Sequence, residues 1–532
     1  MTNVPLPPMT HNLWGTPQEE KPLSPSIQKM LTKILGKNTR QVPRIPAAKV
    51  QLSPVRLKGE HLDALAQIVG TKYVTWDHEQ RLRRARGKSY PDLLDFRTTA
   101  QIDAPDAVVA PRDEEEILAL LQYCSRMRIA VVTFGGGTSV VGGITPKSGE
   151  MQAVISVDMC RFDGIEDVDQ VSGLVTLGAG LSGPAAEMLL REHGLQLGHF
   201  PQSFPYASIG GFAATRSSGQ NSAGYGRFDE MVRALTLVTP QGIMRVGGGA
   251  PASAAGPDLR QLVLGSEGIF GIITKVRLRV HPIPQTKRYE AFSFPTFKAG
   301  VAAVRAVTQH GTGPTVIRLS DEVESAVNLT STDKIGQTSK NEGGCLCLTM
   351  FEGTYEHAES RHRETRDLLL KMGGTSQGEG PVRKWEQGRF GAPVLRDALL
   401  DAGAICETLE TATDWANALH LRQAVVEALG KNLGTPALIM CHVSHVYPTG
   451  CSLYFTVVAG QSDNPHDQWW KAKEATCSAI TAAGGTISHH HGVGTDHRPY
   501  MGTEVGDLGI KMVAAVKEAL DPAGIMNPGK LI

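Results

Sequence analysis

The rhythm of apolar and polar positions changes along this chain. Prolines break up most of the first hundred residues. The exception is "SPSIQKMLTKILG", where Ile27, Met30, Leu31, Ile34 and Leu35 recur at helical spacing opposite Lys29, Lys33 and Lys37. That spacing predicts an amphipathic helix docked on the protein's own core, with a membrane surface as the alternative. From about Ala104 short apolar runs alternate with helical segments. In "PRDEEEILALLQYCSRMRIAVVTFGGGTS", Asp113 with Glu116 three residues on marks a helix start, and the apolar strand Ile129–Phe134 runs straight into glycines. "LVTLGAG", a helix from Ser182, a strand pair around the Pro-Gln-Gly turn of "ALTLVTPQGIMRV" and the alternating strand "ITKVRLRVHPIP" follow. A second unit begins after Pro284, with a helix in "TDWANALHLRQAVVEALG" and a strand in "SLYFTVVAG". The alternation in "CLCLTMF" puts Cys345 and Cys347 on one face of a buried strand, and "STDKIGQTSKNEGG" reads as a mobile loop.

Composition narrows the partners. The chain's 53 Lys and Arg balance its 53 Asp and Glu, so no overall field draws it to nucleic acid, and a small, specifically bound ligand is expected. With 41% hydrophobic residues over 532 positions there is enough apolar side chain for real cores. Eight cysteines without a CxxC pair, and no basic-then-apolar leader, suit a reducing cytoplasm. No apolar run reaches the roughly 18–20 residues that span a bilayer, so membrane contact would be peripheral.

Three glycine-rich stretches carry the first candidate chemistry. "FGGGTS", Phe134 to Ser139, follows a buried strand and offers consecutive backbone N–H groups that can cradle a diphosphate, although three glycines also make a tight turn. It does not open a helix as G-x-G-x-x-G, so a Rossmann dinucleotide site is not indicated. "FPQSFPYASIGGFAATRSSGQNSAGYGRFDEMV" and "LGSEGIFGIITKV" add backbone able to thread around a flat cofactor. The second candidate is "GGTISHHHGVG", in which an extended chain would put His489 and His491 on one face and His490 on the other. A metal site, a proton-handling site and a polar loop all stay open on that segment alone. Metal binding is disfavoured because neighbouring side chains would point apart, with no acidic partner beside them. Tyr454 in an apolar strand, and Arg318 and Arg396 interrupting apolar runs, are either packing and ion-pair residues or groups for moving a proton and holding an anion. Pairing of Arg318 with Asp321 and of Arg396 with Asp397 is the rival account.

In order, the glycine stretches resemble the flavin-binding domain of the vanillyl-alcohol oxidase type. The resemblance implies an α+β fold: a two-subdomain FAD-binding domain (104–284), an α+β cap domain for substrate (285–485), an N-terminal helical extension (1–103) and a C-terminal segment (486–532) returning to the flavin. It implies that Gly135, Gly136, Gly137, Thr138 and Ser139 hold the FAD diphosphate and that Phe134 also belongs to the cofactor site. Pro201, Gln202, Ser203, Ser208, Gly210, Gly211, Thr215, Arg216, Ser217, Ser218, Glu267, Gly268, Gly271 and Ile273 would line the rest. No histidine stands beside "FGGGTS", so FAD is expected to be bound without a covalent bond. "DPAGIMNPGKLI" is similar to the ending of flavin-linked 2-hydroxy-acid dehydrogenases, but Tyr454 stands where their metal-using branch has a second histidine, and that branch's glutamate is missing before His491. From "LWG" through "RLRRARGKS", "VIRLSD" and "RDALLDAGAICETLETATDW" to "SHHHGVG", the chain resembles the alkylglycerone-phosphate synthase (alkyl-dihydroxyacetonephosphate synthase) family. The resemblance implies a net non-redox alkyl transfer: an acyl-dihydroxyacetone phosphate bonds through C1 to flavin N5, releases its fatty carboxylate, and takes a long-chain fatty alcohol to become an ether. Tyr454, His489, His490 and His491 would be catalytic, and Arg318 and Arg396 would bind substrate. A homodimer follows from the resemblance alone, and an FAD-linked oxidase or dehydrogenase is the alternative function.

Overall fold

A computed structural model describes residues 4–20, 22–23, 25–35, 40–328 and 344–532. Lys37 and the loop expected over 331–344, except Gly344, lie outside the described residues. Strands Ala107–Val109, Ala153–Asp158 and Ile129–Phe134 pair in parallel and are almost wholly buried, with Val74–Thr75 antiparallel at one edge. Burial on both faces explains why they read as continuous apolar runs. Between Ala107–Val109 and Ile129–Phe134 runs the helix Glu114–Met127. Asp113 caps it by accepting from the Glu116 N–H at 2.8 Å, as expected. A second, antiparallel sheet takes the order Ile165–Asp169, Leu174–Gly178, Ile272–Arg279, Val232–Thr239, Gly242–Gly247. One apolar core runs through both sheets.

The cap domain is built on a seven-stranded sheet, in the order Thr375–Gly378, Thr286–Phe294, Cys345–Gly353, Val316–Ser320, Ala437–Val446, Gly450–Gly460, Ala404–Asp414. Cys345 and Cys347 share one face of it, in the main cap core, while Leu346 and Leu348 enter a separate cluster on the other face. All eight cysteines are free. One boundary differs from expectation. The first 103 residues are not a separate extension: Val74 joins the flavin-domain core, while Tyr90, Leu93 and Leu94 enter the cap core, so this segment stitches the two together. The C-terminal segment does return to the flavin domain, where the Val131 N–H donates to the Ile525 carbonyl and the Asn527 N–H to the Val131 carbonyl, both at 2.8 Å.

The amphipathic helix forms over Pro25–Leu35. Ile27, Leu31 and Leu35 are buried against Leu399, Cys406, Met440 and Val458 of the cap domain. These three side chains are therefore covered by the protein itself, as docking on its own core requires. No helix among the described residues is long and apolar enough to cross a membrane.

Candidate active site

A cavity of about 540 Å³ runs from the glycine loop into the cap domain. At its flavin-domain end, Gly135 to Ser139, Gln202, Ser208, Gly210, Thr215, Ser218 and Gly268 line the wall. The loop lies hard against its neighbour. A Cβ on Gly136 would sit 1.9 Å from the Tyr206 carbonyl oxygen, and one on Gly135 would sit 2.2 Å from the Ser208 hydroxyl. Only bare backbone fits there, so Gly135 and Gly136 present main chain rather than side chain at the cavity wall. Thr133 Oγ1, Gln202 Oε1, Ser218 Oγ and Asn527 Oδ1 are buried at this wall without a hydrogen-bond partner among the described residues. Bare backbone donors beside unpartnered polar atoms fit a long, polar, phosphate-bearing cofactor such as FAD.

The cap-domain end gathers ionisable groups. Tyr454, on Gly450–Gly460, has its ring stacked on His442 at 5.0 Å and near-parallel to His490 at 6.0 Å, with His491 edge-on at 5.6 Å. Burial pushes its phenol up to about 12, so it holds its proton at neutral pH. His442 and His445 both reach the cavity although they stand three apart on one strand. A register shift between Val443 and Val446 inserts an extra residue and returns His445 to that side.

Residues 489–491 form a bend rather than an extended strand. Glu410, on the neighbouring strand Ala404–Asp414, dictates it. Its carboxylate accepts from the backbone N–H groups of His489 (2.7 Å), His490 (3.1 Å) and His491 (2.9 Å) and from the Ser488 hydroxyl (2.7 Å). Burial opposes ionisation of Glu410, but these N–H donors favour the carboxylate and its carboxyl stays well below the usual range. From the flavin-domain side, Glu267 accepts from the Val493 N–H at 2.5 Å and the Gly494 N–H at 2.7 Å. Burial raises its carboxyl to about 7. Two buried carboxylates from different domains thus clamp the histidine loop. Burial lowers all three imidazoles, His491 to about 3, so they are neutral at neutral pH.

Arg318 and Arg396 also line the cavity. Arg318 donates to Glu324 at 2.7 Å, and His442 lies 3.0 Å from the same guanidinium nitrogen. Arg396 donates to the Lys88 carbonyl, lies 5.6 Å from the Trp14 ring, and has Glu407 at 3.7 Å. Internal ion pairs therefore exist, but with Glu324 and Glu407 rather than Asp321 and Asp397.

Residues 105–247 match the family described as FAD binding domain, and residues 283–531 the C-terminal domain of FAD linked oxidases. The chain is 32% identical to the alkyldihydroxyacetonephosphate synthase of Trypanosoma brucei brucei, over 91% of this chain and 82% of that one. The Dictyostelium discoideum enzyme of the same name is also 32% identical, over 92% and 84%. This chain belongs to the alkyldihydroxyacetonephosphate synthase family. A solved alkyldihydroxyacetonephosphate synthase structure is similar with a TM-score of 0.84 at 28% identity, covering 98% of both chains. p-Cresol methylhydroxylase, at 15% identity and a TM-score of 0.69 over 89% of this chain and 96% of that one, shares the fold.

Most of the family positions foreseen in the sequence meet at this one cavity: Gly135, Gly136, Gly137, Thr138, Ser139, Pro201, Gln202, Ser203, Ser208, Gly210, Gly211, Thr215, Ser217, Ser218, Glu267, Gly268, Gly271, Ile273, Arg318, Arg396, Tyr454, His490 and His491. Three do not reach its wall. Phe134 is buried beneath the glycine loop, where its ring would lie 2.8 Å from a Cβ on Gly137. Arg216 spends its guanidinium on Asp229 and on the carbonyls of Gln261 and Leu264. His489 lies behind the other two, against the Tyr447 hydroxyl at 2.5 Å. The expected facing of 489 with 491 is thus corrected to 490 with 491, because Glu410 bends the chain. Glu410, Glu324, His442, His445, Tyr447 and Trp14 were not foreseen as site residues. One signal was available: Glu407 and Glu410 interrupt the apolar strand "AICETLETATD", and a carboxylate there must find donors.

Proposed function

We propose that this chain is an FAD-dependent alkyldihydroxyacetonephosphate synthase, exchanging the acyl chain of an acyl-dihydroxyacetone phosphate for a long-chain alcohol with no net redox change. The observation that carries the reading is the convergence of Tyr454, His490, His491, Arg318 and Arg396 on the cavity that begins at the glycine loop. FAD bound there supplies a ring system that can take up and return an electron pair. The guanidiniums of Arg318 and Arg396 attract the phosphate and the departing carboxylate. Neutral His490 and His491 can accept the C1 proton, and the protonated Tyr454 phenol can donate to a substrate oxygen. Val316, Ile317, Val327, Leu395 and Met440 give the cavity an apolar side that suits acyl and alkyl chains. Homodimerisation belongs to the proposal on family resemblance alone, a cytoplasmic setting on the eight unpaired cysteines, and peripheral membrane contact on the basic amphipathic segment 25–35; sedimentation and cell fractionation check them.

The test supplies palmitoyl-dihydroxyacetone phosphate and labelled hexadecanol. Labelled ether and free palmitate are expected, with the rate about 10²–10⁴-fold lower in Tyr454→Phe. Equal rates in the two proteins reject the assignment of Tyr454, and no ether at all rejects the synthase reading. The other reading, an FAD-linked dehydrogenase, is supported by 29% identity to the D-lactate dehydrogenase of Arabidopsis thaliana over 81% of this chain and 74% of that one. It requires flavin bleaching on addition of a hydroxy acid, which the synthase reading does not. A non-covalent FAD is expected to leave the protein on acid precipitation; flavin remaining in the pellet would contradict that.

A further inference from the structure

We propose that His445, His489 and His490 form a three-histidine site for a borderline divalent cation of the zinc class, opening on the active-site cavity. Each side chain offers one ring nitrogen, and the three nitrogens lie within 4.8 Å of one another. His489 Nδ1 and His490 Nδ1 are only 3.0 Å apart. Two nitrogens about 2.0–2.1 Å from one tetrahedral zinc stand about 3.3 Å apart, so this pair already has nearly the bite a metal needs. The objection that adjacent histidines point apart does not hold here, because Glu410 bends the backbone that carries them.

Three further observations point to a ligand. His445 is 5% exposed, and its Nδ1 has no hydrogen-bond partner among the described residues. The Tyr447 hydroxyl lies 2.5 Å from His489 Nε2; in the tautomer where Nε2–H donates to that oxygen, Nδ1 carries the lone pair that faces His490. His445 and His490 border the cavity, so an ion has a way in and a fourth position open to solvent or substrate. The surrounding charge is mixed. Glu410 Oε2 lies 3.5 Å from His490 Nδ1 and favours a cation, whereas Arg227 donates to the His489 carbonyl at 3.0 Å and opposes one. An all-imidazole set selects zinc, copper or nickel over magnesium or calcium. Bound metal takes the His490 lone pair, so ion and proton transfer compete, and zinc acts as an inhibitor. Binding rests on geometry alone; inhibition rests also on the synthase reading.

The experiment uses FAD-loaded protein freed of metal by a chelator, then dialysed against Zn²⁺, with bound metal counted by atomic emission. One zinc per chain is expected, with affinity about 10–100-fold weaker in Tyr447→Phe, which loses the group orienting His489. His445→Ala should lose the metal while keeping its FAD and melting temperature. Retention of zinc by His445→Ala at wild-type affinity, or none in the wild type, overturns the site. Should His445→Ala fail to hold FAD, Co²⁺ bound to the wild type decides: intense tetrahedral bands beyond the flavin absorption support the site, and weak octahedral bands overturn it. Zinc that binds as described without slowing ether synthesis removes the inhibitory role and leaves the site standing.

Discussion

At the scale of single residues, the site depends on groups whose neighbours decide their state. Gly136 contributes by lacking a side chain, since its Cβ would meet the Tyr206 carbonyl at 1.9 Å. Gly136→Ala is therefore expected to move the loop and reduce the FAD that co-purifies, read as the ratio of flavin to protein absorbance, while the cap domain stays folded. Full flavin occupancy would show that the loop does not hold the cofactor. Tyr454 and the histidines were visible in the sequence, one as the aromatic of an apolar strand, the others as a run of three. Their protonation was not, because burial sets it: the same imidazole in a solvated loop would titrate near its ordinary value of about 6.5.

Among elements, the helix Pro25–Leu35 shows how far periodicity goes. Ile27, Leu31 and Leu35 were placed on one face by spacing, but spacing cannot say what covers them. The cap domain does, through Leu399, Cys406, Met440 and Val458. Leu31→Ala is expected to destabilise the protein by about 2–5 kcal/mol, as truncation of a buried leucine does, without changing liposome binding. Thermal unfolding and vesicle co-sedimentation measure the two. A change in vesicle binding with unaltered stability would restore the membrane role. The strand Ala437–Val446 teaches a related point: alternation would send His442 and His445 to opposite faces, and one inserted residue brings them together. A bulge leaves almost no trace in a single sequence, because it depends on the partner strand's register.

For the whole molecule, two buried carboxylates, Glu267 from the flavin domain and Glu410 from the cap, hold one histidine loop between domains. That arrangement ties stability to pH. His199 and His491 are lowered to about 3 and His497 to about 4, chiefly by burial. Around His491 the titratable neighbours are Glu410, His490 and Lys473. Below about pH 6.5 the unfolded chain takes up protons on these rings while the folded chain does not. The stability these rings contribute is thus complete above about pH 6.5 and falls as pH drops toward the folded values, while Glu267, raised to about 7 by burial, contributes in the opposite sense. The fall in melting temperature of the FAD-bound protein between about pH 6.5 and 5 should be smaller in His497→Gln than in the wild type, because one ring that titrates only on unfolding is gone; an unchanged pH dependence would contradict a neutral buried His497.

The sequence by itself determined the alternation of strands and helices, the glycine loop after Ile129–Phe134, the flavin-binding class and the glycine-rich part of the cavity wall. These rest on local periodicity and on quoted motifs, both written in neighbouring positions. Only the tertiary structure decided that the first hundred residues stitch two domains together, that Phe134 and Arg216 serve the scaffold, and that Glu410 turns His490 and His491 together toward the cavity. The physical reason is common to all three. Each depends on where a group far along the chain finds its hydrogen-bond or packing partner, and an unpaired buried carboxylate or guanidinium is too costly to leave the choice open.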